Sequence, residues 1–148
     1  MRLLELCEDE QVDAEQIAAD LAAGADANAV DACGTSALAL ACDNPCCSTA
    51  VLAVLLEAGA DVLVVDEDGD SALALLCRNE SITPALLRAL LDAGADANAP
   101  ASGGIFTPLG RLCRNSSASA ELVLALVAAG ADTNAAATDP RWQHALTI

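Results

Sequence analysis

The chain has 148 residues, about the size of one ordinary domain, and is 55% apolar yet only 1% aromatic. Twenty-two acids stand against six arginines and no lysine, giving a net charge of −16, which repels nucleic acid phosphate and anionic lipid. No apolar run, Val51 to Leu56 being typical, approaches the length of a membrane span, and Glu5, Glu8, Asp9 and Glu10 break up any apolar core of a signal peptide after Met1-Arg2-Leu3-Leu4.

In chain order, the first apolar stretch is Leu3 to Cys7, long enough for about two helical turns. A polar loop covers 8–12. Asp13 then offers an N-cap for a second helix carrying Ile17 and Leu21, and Gly24 of Ala23-Gly24-Ala25-Asp26 ends it. The following segment, with Asn28, Asp31 and Gly34, reads as a hairpin-like connection. The order then repeats. Ala37 to Cys42 is the next short helix, Ser48 the next cap, and Leu52, Leu55 and Leu56 the next apolar face before Gly59. Asp66, Asp68 and Gly69 mark the next connection. Ala72 to Cys77, Thr83 with Pro84 at the first helical position, and Leu87, Leu90 and Leu91 lead to Gly94. The fourth copy runs through Pro108 to Cys113, Ser119, then Val123, Leu126 and Val127, to Gly130.

Ala-Gly-Ala-Asp thus occurs four times, with its glycines 35, 35 and 36 residues apart. Such a period marks a solenoid of stacked helical units, which presents a surface rather than a catalytic cavity. Four N-cap residues lie 11 positions before the glycines, and four cysteines, Cys7, Cys42, Cys77 and Cys113, lie 17 positions before them. Equivalent positions on neighbouring helices are about 8–10 Å apart, too far for a disulfide, so these cysteines read as small buried apolar residues in a reducing compartment. Cys33, Cys46 and Cys47 fall in loops.

Helix, loop, helix and turn excursion together resemble the ankyrin repeat. Leu90-Leu91-Asp92-Ala93-Gly94-Ala95-Asp96-Ala97-Asn98 matches that family's closing pattern closely, and Thr107-Pro108-Leu109 keeps its opening pattern; Gly34 to Ala41 and Gly69 to Leu76 match the opening weakly. Ala39, Ala74 and Gly110 stand where the family has histidine. The resemblance implies an all-α, ankyrin-type solenoid of four stacked helix-turn-helix units. The units are approximately 1–35, 36–70, 71–106 and 107–143, with a terminal stub at 144–148, forming one domain over 1–148. Trp142, Leu146 and Ile148 are expected to fold back over the last pair.

The residues give no catalytic set. His144 is the one histidine and has no nucleophile in a recognisable motif nearby. Asp66 to Asp70 looks like part of a calcium loop, but with Gly69 at the turn position the ligand positions hold Val64 and Leu75. Cys42, Cys46 and Cys47 lack the second half of a zinc site. No metal, cofactor, small-molecule substrate, nucleic acid or membrane is expected.

The resemblance implies instead a protein–protein interaction module, cytoplasmic and non-enzymatic, binding a protein or peptide through its hairpin tips and the inner face of the first helices. A structural spacer within a longer repeat array or multidomain protein is the alternative. Carried onto this chain, the expected partner-binding residues are Glu67, Asp68, Asp70 and Phe106 at the tips, with Asp43, Asn44, Arg78, Asn79, Arg114 and Asn115 at the helix ends. The row is acidic in the first two units, with Glu8 and Asp9 in the first, and basic in the last two. Its acidic half favours a cationic segment, while Arg78 and Arg114 are placed to grip a carboxylate.

Overall fold

The computed structural model describes residues 2–103 and 106–134. They form eight helices and no strand: α1 (Arg2–Glu8), α2 (Ala14–Ala22), α3 (Ala37–Asp43), α4 (Thr49–Glu57), α5 (Ala72–Arg78), α6 (Pro84–Asp92), α7 (Pro108–Cys113) and α8 (Ala120–Ala128). The expected stub, with His144, and the expected lid of Trp142, Leu146 and Ile148 lie outside the described residues. None of these helices is long and apolar enough to cross a membrane.

The helix starts follow from side-chain caps. Asp13 accepts the N–H of Glu15, Ser48 that of Val51, Thr83 that of Leu86 and Ser119 that of Leu122, each satisfying a donor the helix cannot. The short helices are capped in the same way. Ser36 accepts from Ala39, Ser71 from Ala74 and Thr107 from Gly110.

The stops are equally regular. Gly24 takes φ +100°, Gly59 +88°, Gly94 +95° and Gly130 +94°, values that L side chains rarely adopt. Around each, two hydrogen bonds close the helix. In the first copy the Gly24 N–H donates to Leu21 and the Ala25 N–H to Asp20, both at 3.0 Å, which is the Schellman pattern.

Seven-residue helices are not stable alone, so packing must hold α1, α3 and α5. Within α3, Ala37, Leu38, Ala39, Ala41 and Cys42 are buried, and in α5 all residues from Ala72 to Cys77 are. Such sequences tolerate burial on nearly every side because alanine and cysteine let neighbours approach. Indeed α3 packs against α1, α4 and α5, and α5 against α3, α6 and α7. The longer helices bury one face only. Leu86, Leu87 and Leu90 face inward in α6, and Leu122 and Leu126 in α8. Each odd-numbered helix touches the next odd one, each even the next even, and the two helices of a pair touch each other; no described helix reaches beyond the adjacent pair. Fully burying one leucine contributes roughly 1.5–3 kcal/mol.

Polar clamps reinforce the seams between pairs. Asn28 donates to the Gly59 carbonyl and accepts from the Asp61 N–H, at 3.2 and 2.8 Å. Asn98 repeats this with Gly130 and Asp132 at 2.8 and 2.7 Å. At the middle seam the corresponding residue is Leu63, which cannot form the clamp and is 60% exposed.

All seven cysteines are free thiols. Cys7, Cys42 and Cys77 are buried, as their register requires, whereas Cys113 is exposed. The difference arises because α7 ends the odd-numbered row among the described residues, so no further short helix covers it. Burial pushes the Cys7 and Cys77 thiols up to about 12 and Cys47 up to about 11, and drives Cys42 upward too. Cys33 is exposed, but Asp31 beside it raises its pKa. With a thiol-disulfide reagent at mild alkaline pH, Cys46 and Cys113 should therefore label first and Cys33 more slowly. Cys7, Cys42 and Cys77 should label only on unfolding, as mass spectrometry of time points would reveal. The sign for stability follows. A thiol with a raised folded pKa supports folding fully below the unfolded value of about 9, so the fold should weaken as pH climbs from there toward 12.

Candidate interaction surface

The connections between pairs are stitched edge to edge. Each closes on an isolated antiparallel bridge: Val30 with Ser36, Val65 with Ser71, and Ala101 with Phe106. Asp31 accepts the N–H groups of Cys33 and Thr35, and Asp66 those of Asp68 and Asp70, so an aspartate folds each of the first two tips onto itself. The tips are then joined. The Glu67 N–H donates to the Cys33 carbonyl at 3.0 Å, and the Gly103 N–H to the Asp68 carbonyl at 2.8 Å. Gly69 takes φ +79°, which L side chains rarely adopt, so the turn itself calls for glycine there. These contacts leave the side chains of Glu67 and Asp68 exposed.

Asp70 behaves differently. It is buried, and Arg111 from α7 places Nη2 at 2.8 Å from both of its carboxylate oxygens. The same nitrogen meets Ser102 Oγ, and the Ser102 N–H donates to Asp70 Oδ1 at 2.7 Å. Ser102 adopts φ +49° to reach this position. Asp70 is thus part of the interior that joins the second and third connections, rather than a displayed tip residue. Arg111 was missing from the sequence-based set. The signal existed: it occupies the position held by Leu40 and Leu75 in earlier copies, and a charge in a leucine register calls for a partner.

The helix ends alternate in role. Glu8, Asp43, Arg78 and Arg114 point outward and are exposed. The residue after Asp43, Arg78 and Arg114 turns inward. Asn44 Nδ2 donates to the carbonyls of Cys7 and Asp9 at 3.0 and 2.7 Å, and Asn79 donates to those of Cys42 and Asn44, both at 2.9 Å. Asn115 donates to those of Cys77 and Asn79 at 3.0 and 2.9 Å. Each asparagine Oδ1 also accepts a local N–H two residues on. Asp9, at the equivalent position of the first copy, keeps only that local bond, to the Gln11 N–H at 2.9 Å. Asn44 and Asn79 are buried and Asn115 half-buried, so this row ties helix pair to helix pair.

The outward row is partly self-neutralised. Arg78 binds Asp43 through Nε and Nη2 at 3.0 and 3.1 Å, and this hydrogen bonding holds the guanidinium above its ordinary pKa. Glu8 remains at one end. At the other, the Arg114 guanidinium stands 5.2 Å over the Phe106 ring.

Three open concavities run along this edge. One of about 320 Å³ includes Asp43 and Asn44; one of about 440 Å³ includes Glu67, Asp68, Asp70 and Arg78; one of about 240 Å³ is lined by Arg78, Phe106, Arg111, Arg114 and Asn115. Every sequence-predicted site residue except the buried Asn79 therefore lines one of them. A larger concavity, about 770 Å³, lies away from these residues between α6 and α8. Among the described residues, no three His, Cys, Asp or Glu side chains gather as a metal site. Compared with protein-family models and with curated proteins, the chain matches none.

Proposed function

We propose that the chain is an ankyrin-type solenoid whose function is to bind a protein or peptide along the edge formed by its connections and short-helix ends. One observation carries the reading: helix pairs contact only their neighbours, while the tips are hydrogen-bonded into a continuous strip with Glu67, Asp68, Asp43, Arg78 and Arg114 exposed beside it. A strip pinned by its own backbone is preorganised, which lowers the ordering cost of binding. The seven free thiols agree with a reducing, cytoplasmic setting. A photo-crosslinking residue at Asp68 or Ala32, both exposed on tips, should capture a defined protein in cells that express the chain. The same residue at Ala53, exposed on α4, should not. Equal capture from both faces, or none from the tips, would leave the structural-spacer reading in its place.

A further inference from the structure

Among the described residues, Arg2 pairs with Asp20, Arg78 with Asp43, Arg88 with Glu121 and Arg111 with Asp70. Arg114 alone of the described arginines has no acidic partner among those residues, in a chain whose net charge is −16. It is nevertheless held in place, with its face over Phe106 at 5.2 Å. Stacking occupies the face of a guanidinium and leaves the N–H donors along its edge for a planar anion.

The surroundings sharpen this. Arg111 is engaged by Asp70, and the Asn115 amide by backbone groups. Arg78 uses Nε and Nη2 on Asp43, so its Nη1 has no hydrogen bond among the described residues. Two donor groups, from Arg114 and Arg78, therefore border one concavity of about 240 Å³ with Phe106 on its wall. On the other side of Arg78 the adjoining concavity carries the carboxylates of Glu67 and Asp68. A bare polyanion would be repelled there, whereas a segment with an acid and a base in succession fits both halves.

We propose that this pocket reads a carboxylate on the bound segment. The carboxylate lies against the Arg114 edge beside Phe106, Arg78 Nη1 donates to it, and a basic residue of the same segment lies against Glu67 and Asp68. The inference rests on the interaction-module reading and specifies its ligand chemistry. Two sources share that chemistry, an acidic side chain and a C-terminal carboxylate.

Three peptides separate them in a titration of the isotopically labelled full chain at physiological ionic strength: acetyl-Lys-Gly-Gly-Asp-Gly amide, acetyl-Lys-Gly-Gly-Asn-Gly with a free C-terminus, and the latter as its amide. Amide shifts at Phe106, Arg114 and Asn115 should titrate with the first or the second, the stronger of the two naming the source. The third should bind about tenfold more weakly or less, the loss expected for a charge-assisted contact. Arg114→Gln should remove the preference for a carboxylate, and Arg114→Lys should restore it only in part, while spectra of both variants away from α7 stay unchanged. Equal response to all three peptides, no shift at the pocket, or undiminished preference in Arg114→Gln would overturn the proposal. Any of these would leave capture from Asp68 unaffected, so the two readings fail separately.

Discussion

Replacing Arg111 by alanine should lower the free energy of unfolding by about 3–5 kcal/mol, a large share of what a domain of this size possesses. The Arg111 and Asp70 side chains are 8% and 6% exposed, so removing the guanidinium strands a carboxylate in the interior with only the Ser102 N–H and the Asp66-bound backbone around it. Asp70→Ala should be similarly damaging, because it strands the arginine instead. The pair itself need not stabilise the fold relative to an apolar alternative, since desolvating two charges offsets their attraction. The earlier copies supply that alternative: Thr35 stands where Asp70 does, and Leu40 and Leu75 where Arg111 does. Asp70→Thr combined with Arg111→Leu should accordingly recover most of the loss. Urea unfolding of the two single variants and the double variant measures the coupling directly. A cost below about 1 kcal/mol for Arg111→Ala would mean that the pair behaves as an exposed one. Because the pair is buried, its coupling should also change little with added salt, in contrast to the half-exposed Arg78–Asp43 bridge.

This pair also marks the boundary of what the sequence could tell. Signals acting within a few residues were legible. Asp13, Ser48, Thr83 and Ser119 cap the helices they precede, and Gly24, Gly59, Gly94 and Gly130 end them, because capping and left-handed backbone are local matters. The positions of the short helices followed from the register. What the sequence concealed lies in contacts spanning one full repeat. Arg111 reaches Asp70 across 41 residues, and Arg78 reaches Asp43 across 35. Read along the chain, Asp43 and Asn44 are adjacent polar residues of equal standing. In the fold Asp43 faces solvent and Asn44 faces the preceding pair, because the backbone rotates at the helix end. The expected change of sign from acidic to basic along the row is therefore real only at its extremes, Glu8 and Arg114, since its middle members bind each other. The caps Ser36, Ser71 and Thr107 were local signals too, but Ser36 and Ser71 lay inside the weakly matched copies of the opening pattern.

The asparagine row gives the second large effect, and it separates a structural from a recognition role for residues that the sequence suggested would touch a partner. Asn79→Ala should cost about 3 kcal/mol, within the range expected when buried polar groups lose their partners. Asn79 is 6% exposed and serves three backbone groups: the carbonyls of Cys42 and Asn44, each at 2.9 Å, and the Ser81 N–H, also at 2.9 Å. Alanine leaves all three without that bond at the seam between the second and third pairs, where the Asn28-type clamp is also lacking because Leu63 occupies its position. Asn79→Asp isolates the donors. The aspartate can still accept from Ser81, as Asp9 does from Gln11, but it sets a carboxylate against two carbonyl oxygens. That variant should be at least as destabilised as Asn79→Ala at neutral pH. It should regain stability as pH falls and the carboxyl protonates, because a group whose folded pKa is raised favours the fold on the acid side. Asn115→Ala, at a half-buried position, should cost less than Asn79→Ala. Denaturant unfolding at two pH values distinguishes the roles. If Asn79→Ala unfolds at the wild-type midpoint yet loses the captured partner, the side chain acts at the surface. If the midpoint falls as described, Asn79 acts by fixing the spacing between pairs, and with it the separation of the acidic tip from Arg114.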